Sequence, residues 1–118
     1  VQFDIRHAVV EGPETWPMVL EILAPWINTI DIKDFTWGEN DKSRVVSVPL
    51  GQGLVPLDSF LKNLQELEIR EDYSIHYEYS LGGAEKGKTD LTISKEAFSK
   101  QVSSDFHYFL ALTSHQSA

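Results

Sequence analysis

Three carboxylates stand inside or at the end of short apolar runs: Asp4 between Phe3 and Ile5, Asp31 between Ile30 and Ile32, and Glu78 between Tyr77 and Tyr79. A charged side chain is costly in such a run unless it is paired or bound to a cation. Repeated at equivalent positions, the pattern suggests convergence on one point. Acids brought together repel one another and a divalent ion relieves that repulsion, so Asp4, Asp31 and Glu78 are candidate metal ligands. The competing reading is that each acid bonds separately to loop amides or to a lysine such as Lys33, giving an ordinary polar mouth.

Histidines extend the set. His7 follows Asp4 by three positions, from where it could turn back over the site to bind a substrate hydroxyl or carry a proton. A solvated loop histidine has the same spacing. His76 precedes Glu78 by two, and in a regular strand both point to one side, at the site or in a layer beneath it. His107 and His115 fall in a last helix and its tail, where surface or packing roles are expected. Gly51-Gln52-Gly53 and Gly82-Gly83 could bring backbone amides to an anion, but a lone Gly-x-Gly is better explained by tight turning before a helix. Trp16 and Trp26 fit helix packing. Trp37, in the loop after the second strand, either walls a ligand pocket or packs.

The elements that must position these residues follow from periodicity. A strand over 1–5 leads through the loop 11–14 to a helix capped by Thr15, with Pro17 in its first turn. Met18, Val19, Ile22, Leu23 and Trp26 share one face of it, and Pro25 ends or bends it. A second strand over 29–33 precedes a polar loop, 36–47, and a helix capped by Asp58 with Phe60, Leu61, Leu64 and Leu67 inward. A third strand over 73–79 and the loop 82–87 precede a helix from Ser94 with Phe98, Val102, Phe106, Phe109 and Leu112 on one face, and a frayed tail, 114–118. The alternation predicts an α/β fold of three consecutive βα units with parallel strands, in one domain over 1–118. In such folds the ligand site lies beyond the C-terminal ends of the strands. A closed barrel of this kind needs eight strands and about 250 residues, so a chain of 118 residues that opens inside a strand reads as part of a longer one.

The formal net charge of −8, from 18 acidic and 10 basic residues, disfavours nucleic acid as a partner. With no cysteine, disulfides and thiolate metal sites are excluded while the compartment stays open, the cytoplasm being the default. No run has the length of a membrane span.

Four segments, in order, resemble the sugar phosphate isomerase/epimerase family with a xylose-isomerase-like TIM barrel. They are Asp4-Ile5-Arg6-His7, Ile32-Lys33-Asp34-Phe35, Pro49-Leu50-Gly51-Gln52-Gly53, and His76-Tyr77-Glu78-Tyr79 continuing through Gly82-Gly83 to Gly87. The last is the most distinctive. The resemblance implies a C-terminal partial (β/α)8 barrel, strands six to eight with their helices. It implies Asp4 as a metal ligand, His7 as a substrate contact with a part in catalysis, and Glu78 as both metal ligand and acid–base residue. Lys33 matches a lysine frequent in the family and is a candidate substrate contact, as are Trp37 and His76. Many relatives have a histidine ligand where this chain has Asp31, which changes the donor offered to the metal. The implied cofactor is a divalent ion, Mn²⁺ or Mg²⁺, with Zn²⁺ or Co²⁺ as alternatives, and the implied ligand is a sugar or sugar phosphate. A second catalytic glutamate, expected from an earlier strand, has no counterpart here. The expected activity therefore belongs to an intact barrel, and this chain alone is expected to be inactive. Its open sheet edges are expected to self-associate or to meet the rest of the barrel. The alternative is a non-catalytic sugar- or metal-binding barrel of the same family. A DNA-repair role, as in another branch of that barrel group, is disfavoured by the charge.

Overall fold

In the computed structural model, which describes residues 1–87 and 92–116, the elements in chain order are β1 (Gln2–Asp4), α1 (Ile5–Glu11), α2 (Trp16–Leu23), a 3-10 turn (Ala24–Trp26), β2 (Thr29–Ile32), β3 (Asp34–Trp37), β4 (Val45–Val48), α3 (Leu57–Glu66), β5 (Asp72–Ile75), a second 3-10 turn (Ala84–Lys86) and α4 (Lys95–Gln116). The side chain of His115 and residues 117–118 of the expected frayed tail lie outside the described part.

Alternating residues give the central sheet two different faces. β1, β2 and β5 lie side by side in that order, all parallel, with Asp4 opposite Asp31 and Asp31 opposite Ser74. Phe3, Ile5, Ile30 and Ile32 are buried toward the helices. Phe3 stacks on Phe60 of α3 at 5.9 Å between ring centres, and Trp16 of α2 meets Phe60 edge-on at 6.0 Å. Each such side chain removed from water is worth roughly 1.5–3 kcal/mol. Gln2, Asp4, Asp31 and Lys33 belong to the opposite, polar face, where their contacts are with one another and with the chain that follows β5. The mixed α/β architecture with a parallel three-stranded sheet thus follows the expected βα rhythm.

Several local expectations are corrected. Asp4 ends β1 in extended geometry and its carboxylate accepts the backbone N–H of His7, so it caps the short helix α1 that the sequence reading did not anticipate. The segment read as a polar loop over 36–47 is mostly an antiparallel hairpin, with Phe35 opposite Ser47 and Trp37 opposite Val45. Thr15 precedes α2 but makes no capping bond, and α3 opens one residue before Asp58, whose carboxylate accepts the N–H of Ser59. In α2 the buried residues are Trp16 and Leu20, while Met18, Val19 and Ile22, and Trp26 in the 3-10 turn that follows, are exposed. The face that Met18, Val19, Ile22, Leu23 and Trp26 share is thus mostly the solvent-facing one, with Leu23 alone of them partly buried against the core. In α4 Phe109 is buried and Phe98, Val102 and Leu112 are partly so, in line with the expected shared face, whereas Phe106 is exposed and Asp105 is buried on that face. Residues 102, 105, 109 and 112 follow the 3-4-3 spacing of a packed helix seam.

Candidate functional site

The charged residues gather at the C-terminal ends of the three parallel strands, on the polar face. Asp4 and Asp31 end up side by side because the parallel register pairs their Cα positions. His76 extends the ladder one step past β5, its N–H donating to the carbonyl of Ile32 at 2.9 Å. Beyond that point the alternation continues: His76 and Glu78 turn to the mouth, whereas Tyr77 and Tyr79 turn to α4, where their hydroxyls donate to the Val102 carbonyl and to Asp105. The same-side reading of His76 and Glu78 therefore holds, although regular strand pairing stops at Ile75.

Lys33 sits at the centre. Its ammonium lies 2.7 Å from Asp4 Oδ2 and 3.3 Å from Glu78 Oε2, with the side chain almost wholly buried. The other oxygen of Asp4 accepts the N–H of His7 that caps α1. Arg6 reaches Glu78 Oε2 at 2.9 Å and donates to Ser47 Oγ at 2.8 Å, so it fastens the hairpin to the mouth. Asp31 is buried, takes a hydrogen bond from the Gln2 side chain, and has His76 Nε2 3.2 Å from its other oxygen. That contact suits charge attraction but is not aligned as a hydrogen bond, which leaves Asp31 Oδ1 a buried polar atom without a hydrogen-bond partner among the described residues; Arg6 Nε is another.

Of the expected site residues, Asp4, Lys33 and Glu78 are joined with Arg6 in one group of ion pairs, and Asp31 and His76 with Gln2 in a second group, which the pairing of Asp4 with Asp31 across β1 and β2 sets alongside it. His7 is largely exposed, with Nε2 3.7 Å from Asp4 Oδ2, and lines a hollow of about 220 Å³ with Arg6, Val10, Glu11 and Val45. Trp37 is on the hairpin, edge-on to Phe35 at 5.2 Å, and is partly exposed. Its ring makes none of the polar contacts of the mouth. A larger hollow of about 520 Å³ opens at the other end of β5, between Leu61, Ile69, Arg70, Tyr73 and Thr113, and none of the charged residues at the mouth lines it.

The three acids as arranged do not offer a divalent ion an open donor set. Asp4 and Glu78 converge on the Lys33 ammonium, and Asp31 faces Gln2 and His76. Among the described residues no group of three or more His, Asp or Glu side chains is placed to hold a metal ion.

Sequence reasoning missed Arg6 as a member of the site and Asp34 as its support. The buried carboxylate of Asp34 accepts the N–H groups of Phe35, Gly51, Gly53 and Val55 at 2.8–3.0 Å. The amides of the Gly51-Gln52-Gly53 turn, considered for an external anion, are occupied by this internal one. Glu85 does the same for the second glycine turn, accepting from Leu81 and Gly83 at 2.9 Å each. Those backbone N–H bonds, Leu81 first, hold the Glu85 carboxyl below its ordinary value. The legible signal for Asp34 was an acid placed directly after a strand and ahead of a Gly-x-Gly turn.

No family model matches the chain, and no curated protein matches it. No helix among the described residues is long and apolar enough to cross a membrane.

Proposed function

We propose that this chain forms strands six to eight of a (β/α)8 barrel of the sugar isomerase/epimerase kind, and that the polar mouth binds a sugar or sugar phosphate and moves a proton beside its carbonyl. The observation that carries the reading is the placement of Asp4, Asp31, Lys33, His76 and Glu78 together at the C-terminal ends of consecutive, adjacent parallel strands. That is the end at which barrels of this architecture bind ligands. The mouth carries hydrogen-bonding groups of both kinds, as a polyhydroxylated ligand requires.

Glu78 is the proton-transfer residue in this proposal. It is the most solvent-accessible carboxylate of the ion pairs at the mouth, and Arg6 and Lys33 hold it in place. A carboxylate so positioned can take a proton from carbon and return it, provided the sugar brings that carbon within hydrogen-bond reach. His7, exposed at the rim, is placed to contact an incoming hydroxyl and to assist the transfer. A second acid, on the opposite side of the ligand, belongs to the part of the barrel outside this chain.

The test is solvent deuterium exchange into aldoses and ketoses, free and phosphorylated, using a polypeptide that completes the barrel. Exchange next to the carbonyl that Glu78→Gln abolishes supports the assignment; undiminished exchange in that variant refutes it. Sugar binding without exchange in the unaltered protein favours the second reading, a non-catalytic sugar-binding barrel. The commitment of Asp4 and Glu78 to Lys33 is the observation that keeps this second reading in play.

A further inference from the structure

We infer that Lys33 is the resident cation of this mouth, holding Asp4 and Glu78 together in the role that a divalent ion would otherwise fill. The inference rests on the reading of the mouth as the site, but not on any catalytic activity there.

Charge balance carries the argument. Asp4, Asp31 and Glu78 bring three negative charges to the ends of the strands, and Lys33 and Arg6 bring two positive ones. His76 against Asp31 supplies a third when protonated. The cluster is therefore close to neutral from its own side chains. A divalent ion between Asp4 and Glu78 would meet the Lys33 ammonium, which lies within 2.7 Å of one and 3.3 Å of the other. Like charges at such separations repel by several kcal/mol at the effective dielectric of a protein surface.

Geometry agrees. Lys33 follows β2 directly and is buried, so its ammonium is held among carboxylates and cannot be satisfied by water instead. Its removal would leave Asp4 and Glu78 facing each other, with Arg6 on Glu78 and His7 on Asp4 as the remaining compensation. Such a pair has the oxygen donors a hard divalent cation takes.

The probe is Mn²⁺ alone, titrated into the folded chain and followed by the electron paramagnetic resonance signal of the free ion. The unaltered chain is expected to bind no Mn²⁺ saturably. Lys33→Met is expected to gain saturable binding, tighter by about tenfold or more than any residual affinity of the parent, and Lys33→Arg is expected not to gain it. Circular dichroism establishes that each variant is folded, and Lys33→Gln replaces Lys33→Met if the latter is not. Saturable Mn²⁺ binding by the unaltered chain overturns the inference, as does a folded Lys33→Met or Lys33→Gln chain that gains none. Because no sugar is involved, a failed sugar assay and a failed metal titration would be told apart.

Discussion

The phenolic hydroxyl of Tyr79 donates to Asp105 across 2.8 Å, joining the chain beyond β5 to the middle of α4. The other oxygen of Asp105 accepts the side-chain amide of Gln101 at 3.0 Å, so a buried acid on the inner seam of α4 is satisfied by two neighbours. This bond fixes which way the residues around it turn. With Tyr79 held against α4, its neighbour Glu78 is directed to the mouth.

Tyr79→Phe should therefore cost about 1–3 kcal/mol, the penalty of leaving a buried acceptor short of a donor, read as a lower urea midpoint. The same phenol gives an alkaline signature. Burial first, and then the bond to Asp105, push its pKa well above the ordinary 10.0. A raised pKa means that the unfolded chain loses this proton first. The contribution is thus fully present below pH 10.0, the unfolded value, and is lost as pH rises from there toward the folded pKa. In Tyr79→Phe the stability loss above that pH should be shallower than in the parent, and identical slopes would contradict the assignment.

Asp34→Ala removes one acceptor from four backbone N–H groups and should destabilise the chain by about 3 kcal/mol or more. Gly53→Ala approaches the same contact from the other side. A methyl group there would sit 2.3 Å from both Asp34 Oδ1 and the Phe35 carbonyl, an overlap expected to cost roughly 1–3 kcal/mol. Both variants should speed amide hydrogen exchange at Gly51, Gly53 and Val55. Unchanged exchange would mean that the turn is held by something else.

Glu85 predicts a response to acid. Its carboxyl is held below the ordinary 4.5, chiefly by the N–H of Leu81. A lowered pKa stabilises the fold above the unfolded value and is lost as pH falls below 4.5 toward the folded one. Glu85→Gln should flatten that part of the stability profile, and an unchanged acid slope would count against the turn's dependence on this carboxylate.

Met18 and Ile22 of α2 and Trp26 of the turn after it present an apolar face to solvent, and β1 is an edge of the sheet. Such faces and edges promote association. Sedimentation should find the chain heavier than a monomer, and Met18→Lys with Ile22→Lys should return it toward monomer mass. A monomeric parent would refute the prediction.

The parallel βα rhythm was legible because strands leave a period-two trace, and Asp4, Asp31 and Glu78 stood out because they interrupt apolar runs. Their pairing, Asp4 and Glu78 on Lys33 and Asp31 on Gln2 and His76, is nearer the competing reading of separately bonded acids. The side on which α2 is buried was not legible. Apolar residues occupy more than one face of that helix, and periodicity alone cannot choose between Trp16 with Leu20 and Met18 with Ile22. The hairpin escaped notice because Asp41, Lys42, Ser43 and Arg44 make its tip polar, which hides the β-branched pattern of Val45, Val46 and Val48. Asp4 was read for its chemistry, while its capping of α1 depends on a helix too short to announce itself in the sequence.

The glycine turns have a consequence for recognition. At Gly51–Gly53 and at Leu81–Gly83, amides suited to a phosphate already face a carboxylate tethered to the same chain. A tethered competitor acts at an effective concentration on the order of millimolar or above. A phosphorylated ligand would have to displace Asp34 or Glu85 before it gained the amides of either turn.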